Sequence, residues 1–457
     1  MTAYVTENPS TGAVEREFPT ISDEQIDPIL QRADGAYRDW RKTPIEQRVQ
    51  MLRDTAAAYR ERAAELASIV TTEMGKPTNQ GLGELALTAM IYDWYAENGP
   101  GLLETQQLDP QGAAESIVTR TPIGPILGIM PWNFPYYQVA RFVAPNLLLG
   151  NTIILKHAPI CAASSEAMAE IAHAAGVPED AYINIFATNE QIATMIADRR
   201  VQGVSLTGSS RAGAAVAEVA ARNLKKSVLE LGGSDPFIVL DTPDVAALAA
   251  GAAAMRTMNA GQACNSPKRF IVDESIYDDF VTNLTAAISN LAVGDPADAG
   301  TNVGPLSSVT ARDNVVKQVA EAVAQGATLH TGGEALDGPG AFMAPAVITD
   351  VTPEMNLYRE EIFGPVAVVY KFSSVDDAVE LANDVDYGLS GSVWSADVDA
   401  AQAVADRLDV GMAMVNEHGT TLPGLPFGGV KQSGYGRELG QWGLGEFANV
   451  RLRRTAK

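Results

Sequence analysis

Cysteine and histidine are scarce in this chain, at two and four residues in 457. Two thiols build no disulfide framework, and their reduced state suits a reducing cytosol. The histidines, His157, His173, His330 and His418, are scattered without metal-ligand spacing, so no catalytic metal is expected. Basic residues are also outnumbered, 33 against 56 acidic, for a net charge of -23. That charge repels a phosphate backbone and argues against nucleic acid as a partner. Long apolar runs are missing: Val245 to Met255 is too short and alanine-rich to span a bilayer. Met1 to Phe18 is polar, without a basic-then-apolar signal. A soluble, cytoplasmic protein without membrane contact is expected.

The length suggests about two or three domains. Ser22 with Gln25, and Thr43 with Glu46 and Pro44 at the first helical position, form two capping-box signatures that open a helical first stretch. From Ile123 the pattern changes to short aliphatic segments alternating with alanine-rich ones. Strands are predicted at Ile126–Met130, Thr152–Lys156, Val201–Leu206, Val228–Glu230 and Phe237–Leu240. This rhythm means a parallel sheet with helices on its faces. Arg269–Val272, Val366–Phe372 and Gly391–Trp394 predict a second α/β unit, and Phe447–Arg454 a basic terminal strand of the kind that pairs with another subunit.

Several residue types suggest chemistry. Cys264, in Gly261-Gln262-Ala263-Cys264, is a candidate nucleophile, although an isolated cysteine more commonly packs as a small hydrophobe. Cys161 has no comparable context. Glu230 closes an apolar strand before Gly232 and Gly233. Desolvation there raises a carboxyl pKa towards what water activation needs, while a strand-end salt bridge fits the local sequence equally. Asn133 lies in the stiff loop Pro131-Trp132-Asn133-Phe134-Pro135, suited to a preorganised amide worth roughly 3 kcal/mol to an oxyanion, or to an Asx turn. Leu206-Thr207-Gly208-Ser209, with Gly213 beyond it, joins strand to helix where a pyrophosphate is favoured, without the usual Gly-x-Gly-x-x-Gly spacing.

Together these segments, with Leu155-Lys156, Glu360-Glu361-Ile362-Phe363-Gly364-Pro365 and Pro426-Phe427-Gly428-Gly429, resemble the aldehyde dehydrogenase superfamily, in the family's order and over nearly the whole chain. The resemblance implies a Rossmann-like cofactor domain (1–107 and 123–231), a second α/β catalytic domain (232–425) and a small β oligomerisation element (108–122 and 426–457), the last implying a homodimer or homotetramer. It implies attack by Cys264 on an aldehyde, an oxyanion held by Asn133 and the Cys264 N–H, hydride transfer to nicotinamide, and hydrolysis of the thioester by water that Glu230 activates. Trp132, Lys156, Gly208, Ser209, Gly213, Leu231, Glu361 and Phe363 would bind the cofactor. Pro159 stands where enzymes strict for NAD often have glutamate, so both NADP and NAD are expected to serve.

Arg141 matches an arginine of bacterial succinic semialdehyde dehydrogenases, which places that four-carbon aldehyde first and broad-range aldehyde oxidation second. Its guanidinium suits a substrate carboxylate, or a structural ion pair. Met258 stands where some members carry a second arginine. Thr420 and Thr421 are the candidate hydroxyl partners of the substrate.

Overall fold

Two twisted sheets organise the chain in the computed structural model, which describes residues 4–457. The first runs, in spatial order, Gly434–Tyr435, Lys226–Glu230, Gly203–Thr207, Pro125–Ile129, Thr152–Lys156 and Tyr182–Ile185, parallel except for its first strand. The second runs Thr328–Thr331, Ala346–Thr349, Val366–Phe372, Pro267–Asp273, Asp235–Val239, Ser390–Trp394 and Met412–Val415, parallel except for its first strand. The chain passes between them over Leu231 to Ser234. Central strands such as Thr152–Lys156 and Asp235–Val239 are buried throughout, as sheets covered on both faces require.

Every predicted strand forms, most with ends shifted by one or two residues. Val201–Leu206 becomes Gly203–Thr207 because Gln202 N donates to Pro125 O and leads into the ladder instead of joining it. Short strands were missed, among them Tyr182–Ile185, Ala346–Thr349 and the ribbon Tyr4–Glu7 with Val14–Phe18. The Ser22–Gln25 capping box forms. The one expected at Thr43 does not: Thr43 N donates to Trp40 O, closing the preceding helix, and the next helix starts at Ile45 with Pro44 as its cap.

The terminal strand Ala448–Thr455 finds its partner inside the chain. It pairs antiparallel with Glu115–Pro122 over eight positions, and Gln106–Gln107 flanks the other side. Arg453 and Glu115 add an ion pair at 2.8 Å. Gly434–Tyr435, expected in this small element, instead extends the first sheet beside Glu230.

Candidate active site

In the first sheet the chain order reverses between Pro125–Ile129 and Gly203–Thr207, and parallel sheets bind ligands outside the carboxyl ends of strands at such a point. The loops leaving those strands, Pro131 to Asn133 and Thr207 to Ser209, form one wall of a cavity of about 290 Å³. Leu231, Gly232, Glu361, Phe363 and Cys264 complete it. Trp132 and Phe363 meet edge to face at 5.7 Å, and beyond them a second hollow of about 450 Å³ opens beside Glu361.

These residues fit a dinucleotide. Thr207 Oγ1 is buried and, among the described residues, unpartnered. Ser209 caps the helix Ser210–Arg222, whose first-turn amides face the cleft end of the strand. A side chain on Gly232 would overlap the Glu361 carboxylate, so glycine keeps that cradle open. Gly208 and Gly213 do not themselves offer amides: their N–H groups donate to Glu230 O and Ser209 O. Gly213 instead lets Leu231 approach the helix, since a Cβ there would lie 2.7 Å from Leu231 Cδ2. Lys156 ends the strand Thr152–Lys156, buried and outside the walls of both hollows. Burial lowers its ammonium pKa to about 8.

Cys264 is half-buried at the end of a constrained loop. Asn259, Ala260 and Gly261 all have positive φ, at 52°, 53° and 73°, a strained conformation for the first two. At Gly261 a Cβ would collide with the Gly364 carbonyl. Arg256 holds the turn from below. Its fully buried guanidinium donates to the carbonyls of Gly261, Ile362, Gly364 and Val366 and to Ser266 Oγ. One side chain thereby ties the Cys264 loop to the segment bearing Glu361 and Phe363. Sequence reasoning missed Arg256; its signal was a lone charge in the apolar run Ala252-Ala253-Ala254-Met255.

Asn133 is buried, with Nδ2 donating to Gln262 O at 3.0 Å, and Asn259 Nδ2 donating to its carbonyl at 2.8 Å. The amide is thus locked to the loop of Cys264. The helix that follows, Pro135–Leu149, starts on Pro at its first turn, and Glu84 accepts the free amides of Tyr136 and Tyr137 at 2.8 and 3.1 Å. Lys76 neutralises Glu84 in a buried ion pair.

Glu230 ends its strand buried, with neither carboxylate oxygen hydrogen-bonded among the described residues. Burial holds its carboxyl well above the usual range, reinforced by the neighbouring Glu438 and opposed by Arg141. The salt bridge considered for Glu230 is absent among the described residues. Burial pushes the Cys264 thiol up to about 11, opposed by Arg141 and Lys268.

A second cavity of about 290 Å³ lies on the other side of Cys264, lined by Phe134, Tyr137, Gln138, Met258, Asn265, Thr421 and Phe427, among others. Cys264 and Gln138 line both cavities. Thr421 belongs to this wall; Thr420 does not. Arg141 departs from expectation. Its Nε lies 2.6 Å from Glu438 Oε2, and its guanidinium is covered by the rings of Tyr137 and Phe427, so it is no free receptor at the cavity surface. It reaches the wall only through Nη1, which donates to the Tyr137 hydroxyl at 3.1 Å. Glu438, Tyr137 and Gln138 were not foreseen, because nothing local marks a carboxylate near the carboxyl terminus as the partner of Arg141.

A model of the aldehyde dehydrogenase family matches residues 2–452. The chain belongs to this family. It is 50% identical to a succinate-semialdehyde dehydrogenase [NADP(+)] of Deinococcus radiodurans over 99% of this chain and 94% of that protein. It is 42% identical to the succinate semialdehyde dehydrogenase [NAD(P)+] Sad of Escherichia coli, over 97% and 96%. Among solved structures, the succinic semialdehyde dehydrogenase of Streptococcus pyogenes in complex with NADP+ superposes with a TM-score of 0.97 at 42% identity, covering all of both chains. Aldehyde dehydrogenases are oxidoreductases, and this chain is an enzyme of that class. No helix among the described residues is long and apolar enough to cross a membrane.

Proposed function

We propose that the chain oxidises succinic semialdehyde to succinate, with NADP or NAD as hydride acceptor, through an acyl-enzyme on Cys264. The observation that carries this reading is the position of Cys264 in the walls of both cavities, so that a carbon bonded to Sγ faces the cofactor cleft from the aldehyde side. Once the Cys264 thiol has given up its proton to water, the thiolate Sγ adds to the aldehyde carbon, and the oxyanion is received by Asn133 Nδ2 and the Cys264 N–H. Bound in the cleft, the nicotinamide supplies a hydride acceptor. Glu230 then takes a proton from the water that cleaves the thioester, a task for which its raised pKa suits it. Trp132, Gly208, Ser209, Leu231, Glu361 and Phe363 would hold the cofactor, Gly213 sets the helix spacing, and Lys156 would serve its adenosine side.

The substrate carboxylate rests on the hydroxyls of Tyr137 and Thr421 and the amide of Gln138, with Arg141 acting through Tyr137. A second reading, broad aldehyde oxidation, is favoured by one observation: the aldehyde-side cavity carries Leu87, Phe134, Met258 and Phe427 and no lysine or arginine. Comparing kcat/KM for succinic semialdehyde and butanal separates the two. A preference of about tenfold or more for the semialdehyde supports the first, and parity supports the second.

The division of the chain into cofactor, catalytic and oligomerisation parts is proposed along the same lines, supported by the passage between sheets after Glu230. A homodimer or homotetramer in the cytoplasm is proposed as well; the outer edge of Ala448–Thr455, with Val450 and Leu452 exposed, supports a contact between copies.

A further inference from the structure

Lys268, in the strand Pro267–Asp273, has no part in the reaction as described, yet it is buried and charged. Its Nζ donates to the carbonyls of Ala263 at 3.1 Å and Cys264 at 2.7 Å, and lies 3.4 Å from Glu361 Oε1. Two N–H groups of the ammonium are thus committed to backbone carbonyls, and Glu361 is its ion-pair partner. Glu361 accepts in turn from Gly233 N at 3.0 Å, at the floor of the cofactor cleft. One cation therefore joins the backbone around Cys264 to the Glu361 carboxylate of the cofactor cleft.

The geometry of the peptide unit gives this a consequence. In a trans peptide the C=O and the N–H of the same unit point in opposite directions. An ammonium on Ala263 O leaves the Cys264 N–H directed away from Lys268. Charge on that oxygen polarises the unit and strengthens the N–H as a donor. We propose that Lys268 is a positioning residue of the oxidation step: it fixes and polarises the Ala263–Cys264 peptide, whose N–H receives the developing oxyanion, and holds Glu361 in register with it.

The assignment rests on Cys264 being the nucleophile, as proposed above. The charged and titratable groups around that thiol are Lys268 on the strand that follows it, Arg141 and Tyr137 on the helix Pro135–Leu149, Asp235 on its strand, and Glu361 across the cleft. Arg141 is matched by Glu438 at 2.6 Å, whereas the nearest carboxylate oxygen to Lys268 is 3.4 Å away. Replacing Lys268 by a neutral side chain removes a cation that favours the thiolate.

The test compares full-length wild-type enzyme with Lys268→Met, Lys268→Arg and Lys268→Gln. Two quantities are read: steady-state oxidation of succinic semialdehyde with NADP, and the pH profile of Cys264 alkylation by iodoacetamide, followed by mass spectrometry of its peptide. Lys268→Met is expected to lower kcat about 10- to 100-fold with a much smaller change in aldehyde KM. Its alkylation profile is expected to move to higher pH, with Lys268→Arg recovering part of both. Wild-type kcat and an unmoved profile in Lys268→Met overturn the proposal. Should that variant fail to fold, Lys268→Gln, which keeps an N–H donor but no charge, decides by the same profile: a shift supports the proposal and its absence overturns it. Failure of the underlying reading is told apart by Cys264→Ala, which would then still oxidise the aldehyde.

Discussion

Arg141 Nε lies 2.6 Å from Glu438 Oε2, and both side chains are buried. Removing one member of such a pair strands a buried charge, at a cost of about 3–5 kcal/mol, whereas replacing both by apolar groups of similar size is often neutral. Arg141→Ala and Glu438→Ala are therefore each expected to lose stability in this range in urea denaturation, and Arg141→Met with Glu438→Leu to recover most of it. Equal stability of Arg141→Ala and wild type would show that the pair does not form in solution.

The same arginine also bears on specificity. Because it reaches the aldehyde cavity through Tyr137, Tyr137→Phe is expected to raise KM for succinic semialdehyde while leaving KM for butanal nearly unchanged. Parallel changes in both would remove the hydroxyl from carboxylate binding.

Glu230 predicts a pH dependence of definite sign. Burial raises its folded pKa above the unfolded value, so over the intervening pH range the folded chain binds the extra proton, and its contribution to stability falls as pH rises through that range. The base form appears only as the same pH range is crossed, so deacylation should rise with pH. Glu230→Gln is expected to lose this limb of the kcat profile and to show a flatter dependence of stability on pH. An unchanged rising limb in Glu230→Gln would assign the limb to another group.

Lys156 gives the cofactor its own pH signature. With its ammonium at about 8, the charge available to a 2′-phosphate is lost as pH rises through that value. KM for NADP should climb above about pH 8 more steeply than KM for NAD, which lacks the phosphate. Parallel slopes for the two cofactors would place the phosphate elsewhere.

What was legible in the sequence was local. The stiff loop around Asn133, the strand-ending Glu230 and the glycine before Cys264 each mark a candidate within a few residues, beside a plainer local reading that only their company along the chain sets aside, and the parallel sheets follow from short aliphatic segments at regular spacing. What escaped depends on residues distant in the chain. Arg141 carries no mark of Glu438, which approaches it only after the segment following Phe427 folds back on the first sheet. The terminal strand reads as an open edge until Glu115–Pro122 is placed beside it. Thr43 has the letters of a cap, but its N–H is already committed to Trp40 O. Gly213 sits where a phosphate turn needs glycine, yet serves the packing of Leu231.

The central claim is an acyl group carried on Cys264 and released by Glu230. Glu230→Gln enzyme mixed with succinic semialdehyde and NADP, quenched and digested for mass spectrometry, tests it most directly. The account predicts one burst of NADPH per active site and a succinyl adduct on the peptide containing Cys264. NADPH formation without that adduct, or an adduct on another residue, would contradict it.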